Sequence, residues 1–145
     1  MRTVFSMAVA VLAVAGSRVA PAAAQQPTRS TWDGVYTADQ AQRGGALYQE
    51  TCSQCHGPQL GGIDAAPPLV GGRFASNWNG INLGDMVQRI RISMPQDNPG
   101  SLSRNQVADV LAYILQANGF PTGEKDLPRQ TSFLKMIAYE AYKPG

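Results

Sequence analysis

The chain has 145 residues, a length typical of a single domain, and its 12 basic and 10 acidic side chains almost cancel. No cluster of lysines and arginines is present, so nothing in the sequence supports a nucleic-acid partner. With 15 glycines and 10 prolines, the chain is rich in loop-forming residues and has a modest apolar core for its size.

Residues 1–24 have the composition of a secretory signal peptide. Arg2 is the charged start, residues 7–15 form the apolar run, and residues 22–24 are three alanines typical of a cleavage site. The run is too short to span a bilayer, and a glycine and an arginine follow it, which argues against the alternative of an uncleaved anchor. We therefore expect an exported bacterial protein, periplasmic or secreted, with no stable membrane insertion after cleavage.

Residues 25–36 are polar, with proline, threonine and serine, and are predicted to form a flexible leader. The first helix is predicted to begin at Thr37, which forms a capping box with Gln40, and to run to about Thr51. Gly44 inside it is followed by a second glycine, and each costs about 1 kcal/mol relative to alanine. We expect close approach of another helix to compensate; a weak, frayed helix is the alternative.

Both cysteines and the single histidine lie together directly after this helix, in the segment Cys52-Ser53-Gln54-Cys55-His56. Cys-x-x-Cys-His is the attachment signature of c-type haem. Two cysteines at this spacing, at the end of a helical turn, can reach both vinyl groups, and the next imidazole then lies beneath the iron. The motif predicts one haem c, bound covalently through Cys52 and Cys55, with His56 as an iron ligand. In bacteria this attachment takes place outside the cytoplasm, in agreement with export.

Three alternatives use the same residues. A structural zinc site usually needs four ligands, and the motif offers three adjacent ones. A thioredoxin-like redox pair would need a βαβ context, whereas the flanking segments indicate helix and Gly/Pro loop. A plain disulfide between Cys52 and Cys55 would close so short a loop that it gains little stability.

Two further helices are predicted downstream, joined by Gly/Pro-rich loops. The second spans roughly residues 83–93. The third begins at Ser103, in a capping box with Gln106, and ends at Asn118 before a glycine. Its apolar side chains follow the helical i, i+3, i+4, i+7, i+8 stripe: Val107, Val110, Leu111, Ile114 and Leu115. Because no segment alternates apolar and polar residues as a strand does, the fold class is predicted to be all-α.

The domain itself is predicted over residues 37–121, and residues 122–145 form a C-terminal tail. The tail has many large apolar side chains for a chain end: Phe133, Leu134, Met136, Ile137, Tyr139 and Tyr142. We expect it to pack on the domain, with docking on a partner as the alternative.

Together these features resemble a small class I cytochrome c, over about residues 37–119. In that family a glycine and an aromatic residue precede the first haem cysteine by eight and four positions, as Gly44 and Tyr48 do here. There they cross the C-terminal helix, at positions matched by Val110 and Tyr113. The resemblance implies an all-α class I fold, with three to five short helices around one haem and crossing N- and C-terminal helices.

Several segments resemble, more narrowly, the cytochrome c subunits or domains of quinoprotein (PQQ-type) alcohol dehydrogenases. They are residues 35–37 with 40–44, residues 94–95 with 99–103, and residues 116–121. This resemblance implies redox partner proteins, with a quinoprotein dehydrogenase as a candidate donor and an oxidase or another cytochrome as a candidate acceptor. A six-coordinate iron has no open position for substrate, so we expect an electron carrier rather than an enzyme. The alternatives are a haem subunit of a dehydrogenase or oxidase complex, and a small-ligand sensor.

His56 is expected to bind iron through Nε2 while its other ring nitrogen donates to a backbone carbonyl. In the family that carbonyl belongs to a proline about a dozen residues further on. Pro67 or Pro68, before Leu69, matches this position. A simple role in stiffening the loop is the alternative for the Pro-Pro pair.

The second iron ligand is expected to be a methionine, because His/Met ligation raises the reduction potential into a range useful for accepting electrons. Met94 lies in a polar, turn-rich loop before Pro95, and this placement resembles the methionine-ligand loop of the family. Met86 lies on the apolar face of the second helix, where a core role is expected, and Met136 lies in the tail. Filling a gap near the haem is the alternative for Met94.

Arg73 and Trp78 lie in the stretch that wraps the haem propionates in the family. A guanidinium or an indole N–H there can neutralise or hydrogen-bond a buried carboxylate, so both are expected to contact the haem. A plain core role is the alternative for Trp78.

Overall fold

A computed structural model describes residues 26–145; the predicted signal peptide therefore lies outside the described residues. The elements in chain order are β1 Arg29–Ser30, a 3₁₀ turn Thr31–Asp33, α1 Ala38–Thr51, α2 Ser53–His56, α3 Gly71–Trp78, α4 Leu83–Ser93, α5 Arg104–Ala117, α6 Thr131–Leu134 and β2 Ile137–Ala138. The all-α prediction is confirmed. This range contains six α-helices instead of three to five. The additional ones are α3, which was not predicted, and the single turns α2 and α6, which are too short to leave a sequence pattern. None of the helices in residues 26–145 is long and apolar enough to cross a membrane.

The crossing of α1 and α5 forms the centre of the fold. Gly44 is buried there, and a Cβ at this position would overlap the backbone carbonyl oxygen of Asp109. The neighbouring Gly45 faces the ring of Tyr113, whose Cδ2 would lie 3.1 Å from an added Cβ. The expected compensation for two helical glycines is therefore present, since the helices approach backbone to backbone.

Both long helices begin where their caps predict. Ser103 and Gln106 form a reciprocal capping box at the start of α5. At the start of α1 the Oγ1 of Thr37 accepts from the Gln40 N–H, but the Gln40 side chain does not return to the cap. Instead its amide donates to the Leu127 carbonyl and accepts from the Leu127 N–H at 2.6 Å. The predicted box at Thr37 is thus half correct, because a buried tail residue takes over the glutamine.

The flexible leader predicted over residues 25–36 is a wrong prediction from Arg29 onward. Arg29 and Ser30 pair in parallel with Ile137 and Ala138. The indole Nε1 of Trp32 donates to the Glu140 carbonyl at 2.9 Å. Further on, three residues of the segment are buried: Thr31, Val35 and Tyr36. The average polarity of the segment concealed these apolar side chains, which bury enough surface to offset the entropy of ordering it.

The C-terminal tail folds back onto the domain. Its buried side chains lie in the same apolar core as those of the long helices: Leu127, Leu134, Ile137 and Tyr139. Tyr139 packs edge-on against Phe120, with ring centroids 5.1 Å apart. Two other tail side chains stay in solvent, since Phe133 is 60% and Tyr142 79% exposed.

Candidate haem site

The two cysteines and the histidine occupy one tight helical turn at the end of α1. Cys52 caps that helix, its N–H donating to the Tyr48 carbonyl at 2.9 Å. The Cys52 carbonyl then accepts from the N–H of Cys55 and of His56. Neither thiol is in a disulfide; Cys55 is exposed and Cys52 half-buried, and burial raises the pKa of the Cys52 thiol. The turn therefore presents two free sulfurs and one imidazole from a single short segment.

The imidazole of His56 is 8% exposed and is held by a backbone carbonyl. Its Nδ1 lies 2.9 Å from the carbonyl oxygen of Pro67. Because a carbonyl only accepts, Nδ1 carries the proton of this hydrogen bond, so in the neutral imidazole the free lone pair is on Nε2. Among the hydrogen bonds of the described residues none involves Nε2. Of the two prolines considered, the structure brings Pro67 to the histidine; Pro68 and Leu69 follow it, both partly exposed.

The loop that carries Pro67 is fixed by its own backbone. The Gly62 N–H donates to the His56 carbonyl at 2.8 Å, and the Leu69 N–H donates to the Leu60 carbonyl at the same distance. Gly62 has φ +79°, and an added Cβ would lie 2.5 Å from the Ala66 carbonyl oxygen. The loop therefore requires glycine at position 62, and its closed shape holds the Pro67 carbonyl against the imidazole.

Two side chains from the crossing helices anchor this loop from outside. The buried hydroxyl of Tyr48 donates to the Gly57 carbonyl at 2.6 Å, and burial raises the pKa of Tyr48 to about 12. The amide of Asn118 donates to the Leu69 carbonyl at 2.9 Å. Sequence reasoning assigned Asn118 only to the end of a helix, since its partner lies 49 positions away in the chain.

The two methionines of the α4 region lie in different surroundings. Met86, inside α4, is 3% exposed and belongs to the apolar core. Met94 is the C-cap of the same helix, partly exposed, with its N–H donating to the Ile90 carbonyl. The residues after it form an irregular, largely exposed loop up to the start of α5. The core role expected for Met86 thus matches its burial, whereas Met94 lies at the end of the helix and outside the apolar core.

Arg73 and Trp78 both lie on α3, which sequence reasoning did not find. Arg73 is exposed near the start of that helix. Trp78 is partly buried against the core, and its ring centroid lies 6.2 Å from that of Phe74. The helix begins without a side-chain cap and contains two glycines in its first turn, so the usual start signals are missing.

Comparison with known proteins gives the family. The family model described as cytochrome c oxidase, cbb3-type, subunit III matches residues 39–114, just over half of the chain. The chain therefore belongs to this family of monohaem cytochromes c. Among solved structures, the sulfane dehydrogenase SoxCD from Paracoccus pantotrophus is similar, with a TM-score of 0.49 and 21% identity over 74% of this chain and 61% of that chain. The chain thus spans less than two thirds of that relative. No curated protein matches the sequence significantly.

Membership in the family means that the protein carries covalently bound haem c and acts in electron transfer. The residues present fit this group. Two free thiols stand one helical turn apart, and a neighbouring buried imidazole is oriented by Pro67 so that Nε2 is available. The chain has no further cysteine that could serve as an attachment point.

Proposed function

We propose that the protein is an exported, periplasmic electron carrier whose haem iron is bound by Nε2 of His56 and the sulfur of Met94. The observation that carries the proposal is the hydrogen bond from Nδ1 of His56 to the Pro67 carbonyl, 2.9 Å long. It fixes both the tautomer and the orientation of a ring that follows directly on the two attachment cysteines. Cleavage after residue 24 would release the domain of residues 37–121 together with its N-terminal segment and tail.

Each protein group has a distinct task in this proposal. Haem c supplies a one-electron Fe(III)/Fe(II) couple. His56 is a nitrogen donor whose basicity is raised by the hydrogen bond to Pro67. The thioether of Met94, a soft ligand at the end of a packed helix, raises the reduction potential. Arg73 and Trp78, both on α3, are proposed to contact the propionates.

The surface around the attachment site points to the kind of partner. Residues 53–70 contain one charged side chain, Asp64, and residues 94–102 contain one, Asp97. Ile63 is 44% exposed and lies against the backbone next to the motif, with Cγ1 3.6 Å from where a Gly57 Cβ would be. We therefore expect brief docking through apolar and uncharged contacts, with an association rate that depends little on salt.

The donor is proposed to be a dehydrogenase of the quinoprotein class, and the acceptor an oxidase or another cytochrome. A haem subunit of an oxidase or dehydrogenase complex is the second candidate. The description of the matching family, an oxidase subunit, favours it. Purification from the native membrane and soluble fractions separates the two: a carrier is recovered without other kinds of subunit, and a subunit is recovered with its complex.

The ligand assignment is tested by placing the same substitution at two methionines. Met94→Leu conserves volume and removes the sulfur, so haem stays attached while the reduction potential falls and the absorbance signature of the methionine–iron bond in the oxidised protein disappears. Met86→Leu is the control, since Met86 lies in the core; its potential and absorbance should stay unchanged. An unchanged potential in Met94→Leu would assign the ligand elsewhere.

A small-ligand sensor is separated from a carrier by carbon monoxide. If Met94 binds the iron stably, the reduced wild-type protein binds carbon monoxide only weakly, whereas Met94→Leu binds it tightly. Rapid binding to the wild-type protein would favour the sensor.

A further inference from the structure

Helix α4 is the element that presents Met94, and it is held largely by the C-terminal tail. Apart from α5, the elements that pack on α4 are α6 and β2, both from the tail. Residues 131–141, which include these two elements, are called the tail brace below. The position of α4, which ends at the proposed ligand, thus depends on residues of the C-terminal tail.

Backbone hydrogen bonds tie the brace to the residues just before α4. The Gly80 N–H donates to the Tyr139 carbonyl, and the Tyr139 N–H donates to the Ile81 carbonyl, each at 2.8 Å. Asn82, the N-cap of α4, forms a bridge with Ala138. These contacts fix where α4 begins and leave little freedom for it to slide or rotate.

The first turn of α4 also touches the brace directly. Gly84 is buried, and a Cβ added there would lie 2.5 Å from Cγ and 3.0 Å from the backbone nitrogen of Lys135. Lys135 follows Leu134, which is fully buried at the end of α6. The absence of a side chain at position 84 is therefore what lets the tail backbone lie against the helix.

The brace is itself anchored away from α4. Tyr139 is 1% exposed, and its ring packs edge-on against Phe74 with centroids 5.8 Å apart. Glu140 accepts from the Ser30 hydroxyl at 2.6 Å through its carboxylate, and from the Trp32 indole through its carbonyl. With these anchors the brace is a fixed support rather than a loosely attached end.

We propose that the tail brace is a positioning element for Met94, which keeps the methionine on the iron by fixing the opposite end of α4. The inference rests on the proposed function, in which Met94 would be the second iron ligand. Helix α4 has 11 residues and is about 16 Å long, and a packed helix moves as a rigid unit. A shift of its first turn therefore moves its C-cap, where Met94 lies.

The test uses two matched pairs of variants in the full-length haem protein. Gly84→Ala crowds Lys135 of the brace and also the Oδ1 of Asn82 at the α4 N-cap, whereas Gly72→Ala, on α3, would meet nothing within 4 Å. Leu134→Ala removes a fully buried side chain from the brace, and Leu127→Ala removes one that is 2% exposed beside Gln40 of α1. Thermal unfolding, the methionine–iron absorbance, the reduction potential and carbon monoxide binding are measured on all four.

We expect Gly84→Ala and Leu134→Ala to lose part of the methionine–iron absorbance and to have lower potentials while still folded. A tenfold larger open population gives about tenfold tighter apparent carbon monoxide binding. Leu127→Ala should unfold at a lower temperature and keep the absorbance, which separates positioning from general destabilisation. If Leu134→Ala does not fold, Leu134→Val and Leu127→Val form the milder pair.

Two failures are distinguishable. If the wild-type protein lacks the absorbance, or Met94→Leu keeps it, then the ligand assignment is wrong. If the wild type has it, Met94→Leu loses it, and both brace variants retain it while unfolding as early as Leu127→Ala, then the brace only stabilises the fold and the inference is overturned.

Discussion

The two sides of the proposed iron site are built in different ways. On the His56 side most of the supporting contacts are local: the Pro67 carbonyl is 11 residues from the histidine, and Gly57 is 9 residues from Tyr48. The one long-range anchor described there is the Asn118 amide, 49 residues from Leu69. On the Met94 side the support is distant in sequence. The tail reaches back to Asn79 across 62 residues and to Ser30 across 110.

This difference predicts that the two sides of the site keep their geometry to different degrees when the domain is destabilised. Local contacts form with little loop-closure entropy, so the histidine and its carbonyl can keep their geometry even when the remainder of the domain loosens. Contacts between the tail and α4 exist only in the complete tertiary structure and are lost together when it opens. Methionine ligation should therefore respond to damage far from the haem, and histidine orientation should not.

The largest effect is expected from a change at the helix crossing, which both sides share. Gly44→Ala places a Cβ on the Asp109 carbonyl, and overpacking of this kind lowers the free energy of unfolding by about 3 kcal/mol. Denaturant unfolding of the haem protein measures it, with Gly72→Ala as the control. Equal stability of the two variants would show that the crossing can shift to admit a side chain.

A change inside the histidine loop should be smaller and confined to that side. Gly62→Ala forces a side chain into a position with φ +79° beside the Ala66 carbonyl, at a cost of about 2 kcal/mol. Gly61→Ala, one residue away, would meet nothing within 4 Å and is the control. We expect Gly62→Ala to lower stability and to shift the potential through His56, with the methionine–iron absorbance retained. Loss of that absorbance would contradict the separation of the two sides.

Removing the Tyr48 hydroxyl should lower the free energy of unfolding by less than either glycine substitution. Tyr48→Phe loses the hydrogen bond to the Gly57 carbonyl and lowers the free energy of unfolding by about 1 kcal/mol at neutral pH. The control is Tyr142→Phe, at a residue 79% exposed, which should unfold like the wild type.

The same tyrosine predicts a pH dependence at the alkaline end. Burial raises the pKa of Tyr48 from 10.0 to about 12, so the folded protein holds this proton more tightly than the unfolded chain does. The contribution is complete below pH 10.0 and is lost as the pH rises from there to about 12. Unfolding across this window should be less pH-dependent in Tyr48→Phe than in the wild type. If the free energy of unfolding depends on pH equally in both proteins, the loss of stability at alkaline pH comes from other groups. Tyr139 is the first candidate, because burial raises its pKa to about 12 as well.

The smallest effect is expected on the exposed edge between α1 and the tail. The Thr37 hydroxyl and then the Arg43 guanidinium lower the pKa of Asp126, so its contribution is present above the ordinary carboxylate pKa and fades as the pH falls through the lowered value. Solvent and salt screen these exposed groups, so Asp126→Asn should lower the free energy of unfolding only slightly at neutral pH, and by less at high salt. The difference from the wild type should disappear in acid, where the wild-type carboxylate is protonated as well. Glu124→Gln is the control on the same loop. A large loss in Asp126→Asn would mean that the tail depends on this cluster.

Much of the histidine side could be predicted because its signals are consecutive in sequence. A motif of five residues, a cap residue at each long helix and a glycine at the crossing each leave a local mark. The resemblance to the family narrowed the carbonyl partner of His56 to two neighbouring prolines, and the fold brings Pro67 to the histidine. The motif and the helix caps could be recognised because the residues that form each of them are close together in the sequence.

The remainder was decided by tertiary structure alone. Two-residue strands have no periodicity to detect, so the pairing of Arg29–Ser30 with Ile137–Ala138 could not be found by pattern. The side chain of Gln40 bonds to Leu127 instead of to its helix cap. There it satisfies both the N–H and the carbonyl of a buried residue, and buried backbone groups need hydrogen-bond partners. What the amino-acid order determined is the chemistry of the haem attachment; what packing decided is which distant segments lie against α4, the helix that ends at the proposed second ligand. The physical reason is that covalent neighbours are close in any conformation, whereas the tail meets α4 only after the chain has folded.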